Sequence, residues 1–371
     1  MRFTINRRAL NRAVNIIQRS VTKSPTFPIL TCTLIELDSN GLSLTSSNGI
    51  LSIRHLVPRE ANNEILISNI EVGSILIKSE LLMELVRKLD VSEFVTFEVF
   101  DETIVKIESD NFSATIKGIN ADEYTNINFD EDGTSFTMDA RKFIEVVDQT
   151  NFAVSIKDKA PLNSIHFDIA GGTLEATATD TAKLSRKTIS ISGNTTAVFN
   201  LAGKTAEVIA RMAENETDIS ICVNKTNALF IFGDTKVCSQ LTAAEYPNTK
   251  NIRMGQSDFR LEVGTNQLIA AIERISPLSS ENRVIRFMMK QDEVKVTSKD
   301  DLLGSAVEKL SNFYYDCEPL EVSCGFNNIV SALRALRCEE VVLEFGGEMR
   351  PFKVTNPNDQ SILVMITPVR N

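Results

Sequence analysis

The chain has 371 residues, 43% hydrophobic and 24% charged, and a formal net charge of −10. That length suits two or three ordinary domains, and that balance builds packed cores and excludes a disordered chain. No apolar run reaches the roughly 18 residues of a membrane helix. Met1–Arg8 holds no signal-peptide core, and six scattered cysteines without a Cys-x-x-Cys pair read as free thiols of a cytoplasmic protein.

In chain order, a strand beginning at Phe3 leads into a predicted helix over Arg7–Val21, where Leu10, Val14, Ile17 and Val21 form an apolar stripe at i, i+4, i+7 and i+11. A hairpin over Leu34–Asn48 turns at Ser39-Asn40-Gly41. A second helix, Ser79–Leu89, carries Leu82, Leu85, Val86 and Leu89, and strand-like Phe94–Phe100 follows. The pattern then repeats. A strand from Phe136 precedes a helix over Ala140–Asn151 with Ile144 and Val147 as its apolar face. The hairpin Ile165–Asp180, a helix over Gly203–Ala213 with Ile209 and Met212, and a strand over Ile219–Val223 complete the unit. It repeats once more from Phe259: helix Thr265–Ile275 (Leu268, Ile272, Ile275), hairpin Ile285–Asp300, helix Asn327–Leu336 (Ile329, Leu333, Leu336) and strand Val341–Phe345. The phrases Ala121-Asp-Glu-Tyr124 and Ala244-Glu-Tyr246 mark the ends of the first two units. Three domains are expected, 1–127, 128–252 and 253–371, each an α+β unit with two helices on one side of antiparallel strands.

Charge is distributed unevenly over this pattern. Residues 7–23 carry Arg7, Arg8, Arg12, Arg19 and Lys23 and no acid, in a chain that is acidic overall. Arg8, Arg12, Asn15 and Arg19 keep the helical spacing about 200° away from the Leu10 stripe, so the face opposite the buried one is cationic. One reading is an ordinary solvated amphipathic helix. The other is a surface for an anionic partner, and with no Trp and only four Tyr it suits duplex phosphates better than stacked bases. Chemistry-bearing motifs are missing: His55 and His166 stand apart from any ligand spacing, and no phosphate-binding glycine loop or nucleophile elbow occurs. No catalytic residue, metal or cofactor is expected.

The three units, together with Pro25-Thr-Phe-Pro-Ile-Leu30, Thr177-Ala-Thr-Asp-Thr-Ala-Lys-Leu184, Met349-Arg-Pro-Phe352 and the ending Met365-Ile-Thr-Pro-Val-Arg-Asn371, closely resemble the bacterial sliding clamps, the beta subunits of DNA polymerase III, in their low-GC Gram-positive and mollicute branch. The resemblance runs end to end. It implies a non-enzymatic processivity factor: a head-to-tail homodimeric ring of clamp domains around duplex DNA, with helices lining the hole. By match to the family, the DNA-facing residues are Arg8, Arg12, Arg19, Lys23, Lys142, Lys157, Lys159 and Lys204. Ser24 stands where many members carry a basic residue. A peptide cleft for the replicative polymerase, the clamp loader and repair proteins falls on Leu162, Thr179, Lys183, Leu184, Pro247, Ile252, Met349, Pro351, Met365, Ile366, Thr367, Pro368, Val369 and Arg370. Pro368 and Val369, in a C-terminal apolar tail, have few reasons to be buried. The dimer seam falls on Phe112, Pro277 and Leu278. The family's usual Thr-Asp-Gly-His-Arg-Leu is here Thr179-Asp-Thr-Ala-Lys-Leu184, which implies a reshaped cleft. An oligomeric scaffold without a DNA partner, or an enzyme of unknown type on the triplicated frame, are the alternatives to a clamp.

Overall fold

The computed structural model describes residues 1–23, 25, 27–89, 92–250, 252, 257–279 and 283–370. Ser24, Thr26 of the Pro25 phrase, Arg253 at the start of the expected third domain, and the terminal Asn371 lie outside the described residues. Six helices are described: α1 (Arg7–Ile17), α2 (Ser79–Lys88), α3 (Ala140–Asn151), α4 (Gly203–Met212), α5 (Thr265–Ile275) and α6 (Phe326–Leu336). The chain forms two compact units, one of residues 1–140 with 211–241 and the other of residues 141–210 with 242–371. No helix among the described residues is long and apolar enough to cross a membrane.

In the first unit a five-stranded antiparallel sheet runs Phe112–Lys117, Ile104–Ser109, Phe94–Phe100, Arg2–Asn6, Ile67–Glu71. An eight-stranded sheet runs Thr134–Asp139, Asp218–Val223, Asn227–Phe232, Thr235–Gln240, Leu51–Pro58, Gly41–Ser47, Cys32–Leu37, Gly73–Lys78. It is continuous because Thr235–Gln240 pairs with Leu51–Pro58, from Thr235 opposite His55 to Ser239 opposite Leu51. Strands of the first and second repeats thereby share one ladder. Helices α1 and α2 pack side by side, with α1 over Gly41–Ser47 and Leu51–Pro58. Leu10, Val14, Ile17, Leu82 and Val86 of the helices are buried, as are Leu42, Leu44 and Ile53 of the strands, each such side chain contributing about 1.5–3 kcal/mol.

The second unit repeats the device. Its nine-stranded sheet joins Ala197–Ala202, Ser164–Ala170, Thr173–Thr179 and Lys183–Ser190 to Asp359–Ile366, Phe352–Asn356, Glu340–Phe345, Phe259–Gly264 and Phe313–Tyr314. Lys183–Ser190 pairs antiparallel with Asp359–Ile366, Leu184 opposite Met365. A four-stranded sheet, Gly304–Lys309, Glu293–Asp300, Val284–Lys290, Leu320–Gly325, closes the other side of the third repeat. The core between them holds Leu268, Ile272, Ile275, Ile329, Leu333 and Leu336 from the two helices with Phe287, Phe345 and Phe352 from the strands. Within this unit Lys187, 2% exposed, bridges Glu145 at 2.5 Å and Asp359 at 3.0 Å. Both partners are needed to make so buried an ammonium tolerable.

Several local expectations shift. The first helix stops at Ile17, continues as a 3-10 turn through Ser20, and is extended by Val21. Both Ser20 Oγ and Ser46 Oγ donate to the Ile17 carbonyl, at 3.1 and 2.5 Å, so hydroxyls replace the next helical N–H groups and Ser20, not Val21, is buried. On α3 the buried stripe is Phe143, Val146, Val147 and Thr150, with Ile144 only half-buried. On α4, Ala213 just past its end is buried and Met212 is not.

Candidate functional site

The local start of α1 is set by Asn6, whose side chain accepts from the N–H groups of Arg8 (3.0 Å) and Ala9 (3.3 Å). That cap fixes the helix phase. With Leu10, Ala13, Val14 and Ile17 buried, Arg8, Arg12 and Arg19 point outward and are exposed. Among the described residues none of these three arginines forms an ion pair. They line a broad concavity of about 1440 Å³ in the first unit, together with Arg7, His55 and Arg211. Arg7 is held by its Nε donating to the Ser92 carbonyl at 2.8 Å. Sequence reasoning counted Arg7 in the basic segment without placing it among the DNA-facing residues, and it missed Arg211, which only the fold brings to the same hollow. His55 is buried, its Nδ1 2.9 Å from Thr235 Oγ1. Burial, with the positive charge of Arg12 adding to it against the pull of Asp234, lowers its pKa to about 4; it is neutral at physiological pH.

The other basic candidates stand as follows. Lys23 is exposed and sits 3.7 Å from Glu80 of α2, so an acid from elsewhere in the fold partly answers a segment that has none of its own. In the second unit Lys142 on α3 and Lys204 on α4 are exposed. Lys157 and Lys159 are exposed in the loop after α3, beside Ile156, which is 94% exposed. That loop is braced by the Ser155 N–H donating to the Leu162 carbonyl at 2.8 Å and the Ser155 hydroxyl donating to Asp158 at 2.7 Å.

The cleft candidates all belong to the second unit and, Lys183 apart, fall into three groups. The first forms a floor. Leu184 and Met365, each 5% exposed, lie opposite one another in paired strands, Thr179 is buried beside them and Leu162 is half-buried. The second group, Pro247, Ile252, Met349, Pro351, Thr367 and Arg370, is exposed. The third departs from expectation. Ile366 is fully buried in the core of the third repeat, because strand alternation turns it away from Met365. Pro368 is buried and Val369 half-buried; the tail is pinned by the N–H of Thr367 donating to the Ala182 carbonyl (2.8 Å) and that of Val369 to the Ser323 carbonyl (2.9 Å). A free apolar tail is thus replaced by a strand-like extension.

The turn bearing the altered phrase is rigidly built. Asp180 Oδ1 accepts from the N–H groups of Ala182 (3.0 Å) and Lys183 (2.8 Å), and Lys183 Nζ lies 2.5 Å from Asp180 Oδ2 and 3.3 Å from Asn328 Oδ1 of α6. Lys183 is therefore a tie between the turn and a helix; its side chain is 11% exposed. Tyr246, which sequence reasoning saw only as a repeat marker, accepts from the Thr179 N–H at 3.0 Å. Its ring stacks on His166 at 4.9 Å, and His166 in turn meets Asn200 at 2.7 Å. Burial pushes the Tyr246 hydroxyl up to about 12. The recurrence of Tyr124 and Tyr246 was the signal that could have found this support.

Of the seam candidates, Phe112 is 38% exposed at the start of an edge strand. Pro277 and Leu278 form a 3-10 turn after α5, against which the strand Gly304–Lys309 packs. Among the described residues no three His, Cys, Asp or Glu side chains gather as metal ligands would.

Family models described as the N-terminal, central and C-terminal domains of the DNA polymerase III beta subunit match residues 1–128, 137–248 and 256–370. The beta sliding clamp of Bacillus subtilis (strain 168) is 28% identical over 377 residues, spanning 100% of both chains. That of Halalkalibacterium halodurans is 29% identical over 382 residues with the same full coverage. A crystal structure of the DNA polymerase sliding clamp from Bacillus subtilis is similar with a TM-score of 0.95 at 27% identity, covering 100% of this chain and 99% of that one.

Proposed function

The chain belongs to the DNA polymerase III beta subunit family and acts as a DNA sliding clamp, a processivity factor, and from that premise we propose how its residues divide the work. Arg8, Arg12 and Arg19, with Lys23, Lys142, Lys157, Lys159 and Lys204, attract the phosphates of duplex DNA. Long flexible cations on helix faces neutralise phosphate without reading base edges, so the contact holds on any sequence and permits sliding. Two copies join head to tail, domains 1–127, 128–252 and 253–371 of each forming half of a ring, with Phe112 of one copy meeting Pro277 and Leu278 of the other. The floor of Leu184, Met365 and Thr179, rimmed by Pro247, Ile252, Met349, Pro351, Thr367 and Arg370, takes an extended peptide with apolar anchors. Such peptides come from the replicative polymerase, the clamp loader and other DNA-processing proteins. The protein itself catalyses nothing and works in the cytoplasm.

The observation that carries the DNA reading is the α1 face: three exposed arginines, without ion-pair partners among the described residues, opposite a fully buried stripe. The test loads the protein on a nicked circular plasmid with a clamp loader, isolates the complex by gel filtration, and then cuts the circle. Release on linearisation is expected. Retention on the cut plasmid, or no circle-dependent retention at all, speaks for a direct binder or for a scaffold without DNA.

A further inference from the structure

The two junctions between repeats match residue by residue. The N–H of Gln240 donates to the Ile50 carbonyl and that of Thr367 to the Ala182 carbonyl, both at 2.8 Å. Counted from those bonds, Ser52 opposite Cys238 holds the place of Leu184 opposite Met365. The next pair on the same face is Arg54 opposite Lys236 in the first junction and Arg186 opposite Leu363 in the second. By strand alternation Arg54 and Lys236 point away from the buried Ile53 and Val237, and so away from α1.

The chemistry at this matched place differs. In the second junction Arg186 is answered: its Nη2 donates to the Thr249 carbonyl at 2.9 Å and its Nε lies 3.5 Å from Glu175. In the first junction Ser43 stands at the place of Glu175, opposite Leu56 as Glu175 is opposite Thr188. Lys236 replaces the apolar Leu363. Two cations therefore sit side by side across the ladder, which costs stability. Arg54 pairs with Glu36 and Lys236 with Glu131, each at 3.8 Å; that is too long for a hydrogen bond, and neither acid is paired with both cations. Arg54 is held in position, its Nε donating to Thr45 Oγ1 at 3.1 Å and its Cζ 4.6 Å from the centre of the Phe129 ring.

Both cations open into a concavity of about 590 Å³ between these strands and residues 126–130, which link the first two repeats. Ligand sites span roughly 300–1,000 Å³. Leu56, Ile127, Phe129 and Ile231 give it apolar walls. Phe129 clusters with Cys222 and Leu229, and Ile127 and Cys238 pack against that cluster. Cys238, at the place of Met365 in the cleft floor, is thus engaged by the chain's own linker, and the open space lies one pair further on, at the cations. The linker is tied down: Asn128 Oδ1 accepts from the Asp130 N–H (2.6 Å) and Asn224 Nδ2 donates to the Asp132 carbonyl (3.1 Å). Two acids also border the concavity. Asp130 is exposed on the linker, and Asp234 acts on His55, whose protonated form it favours.

We propose that this concavity is a second docking site, for an extended segment of a partner protein that carries a carboxylate between apolar side chains. One Asp or Glu side chain of the segment lies between Arg54 and Lys236 and accepts hydrogen bonds from both, in the room that Ser43 leaves where the matching junction has Glu175. Charge-assisted bonds of this kind are the strong ones. The apolar neighbours of that acid rest on Leu56 and Ile231 to one side and on Ile127 and Phe129 to the other. The site uses no residue of the cleft and none of the α1 face, so it stands or falls apart from both.

The test is fluorescence anisotropy on the full-length protein with a labelled Leu-Glu-Leu-Asp-Leu peptide and its Leu-Gln-Leu-Asn-Leu counterpart. The acidic peptide is expected to bind at least tenfold tighter than the neutral one. Ser43→Glu/Lys236→Leu, which installs the side chains that the second junction already carries, is expected to abolish that difference and leave the circular dichroism spectrum unchanged. Lys236→Gln supplies a milder arm, with at least a fivefold loss expected. Equal binding of the two peptides, binding of neither, or an acidic peptide indifferent to both variants overturns the site. Three further results also overturn it. Displacement by an unlabelled Gln-x-x-Leu-Phe peptide puts the segment in the cleft. Loss of binding in Arg8→Gln/Arg12→Gln/Arg19→Gln puts it on α1. Displacement by glutarate at the peptide's own concentration marks a pocket for small organic acids.

Discussion

Thr181 holds the backbone conformation that Gly49 holds in the matching turn of the first repeat: φ is +75° at the threonine and +91° at the glycine. In both turns the preceding Asx side chain, Asp180 or Asn48, accepts from the two N–H groups that follow. A β-branched residue there is strained, by about 1–3 kcal/mol. The resembled family carries glycine at this place, so the chain has put strain into the wall of its own candidate cleft. Thr181→Gly is expected to raise stability by about 1 kcal/mol, after allowing for the greater freedom of glycine in the unfolded chain. A urea midpoint that moves down instead, with an unchanged slope, contradicts the strain.

Tyr246→Phe removes an acceptor from a buried N–H, that of Thr179, while keeping the ring that stacks on His166. An orphaned buried donor costs about 1–3 kcal/mol. The expected outcome is lower stability of that order and, if the floor shapes peptide binding, several-fold weaker affinity for an apolar-anchored Gln-x-x-Leu-Phe peptide by fluorescence anisotropy. Unchanged affinity would remove Tyr246 from the cleft's support.

Arg8→Gln, Arg12→Gln and Arg19→Gln test the cationic face without touching the buried one. Each phosphate contact contributes roughly 0.9 to the slope of log affinity against log salt. The triple variant should lose about 2–3 in that slope and fold as before, because the side chains it changes are exposed. An unaltered slope in a salt titration of DNA retention would count against α1 as the DNA-facing element.

His55 makes stability pH-dependent in a definite direction. Its folded pKa, about 4, lies below the ordinary value near 6.5, so the unfolded chain binds the proton first. The contribution is complete above pH 6.5 and is lost as pH falls toward 4, amounting to about 3 kcal/mol at most by 1.4 kcal/mol per pH unit. His55→Gln should flatten the stability profile between those limits in urea titrations; an equally steep profile in the variant assigns the loss to other groups.

Much of this was legible in the chain. The limits of α3 and α5 follow from the apolar stripes and from the strands that stop against them, and repetition located one hairpin in each repeat, the pairs over 34–48, 165–180 and 285–300. What sequence hid was pairing across distance. Leu51–Pro58 and Thr235–Gln240 read as ordinary alternating strands, and nothing in either announces the other as its neighbour. The same blindness left Lys183 as a cleft residue with no sign that Asp180 and Asn328 hold it, and made Pro368 look like a loose tail. The face of α3 was misread by one residue because Phe143 and Thr150, not Ile144, are the side chains the sheet beneath accepts.

Two naked strand borders on one molecule are a hazard as well as a means of assembly. Any lone protomer offers the same open backbone to whatever extended polypeptide it meets, including a nascent or damaged chain. Lys117 and Lys309, at the far ends of those borders, are the sort of charges that discourage such indiscriminate adhesion. Exchanging both for threonine should therefore leave the correctly mated form intact yet make dilute protein prone to precipitate, which makes cellular abundance a safeguard for this fold.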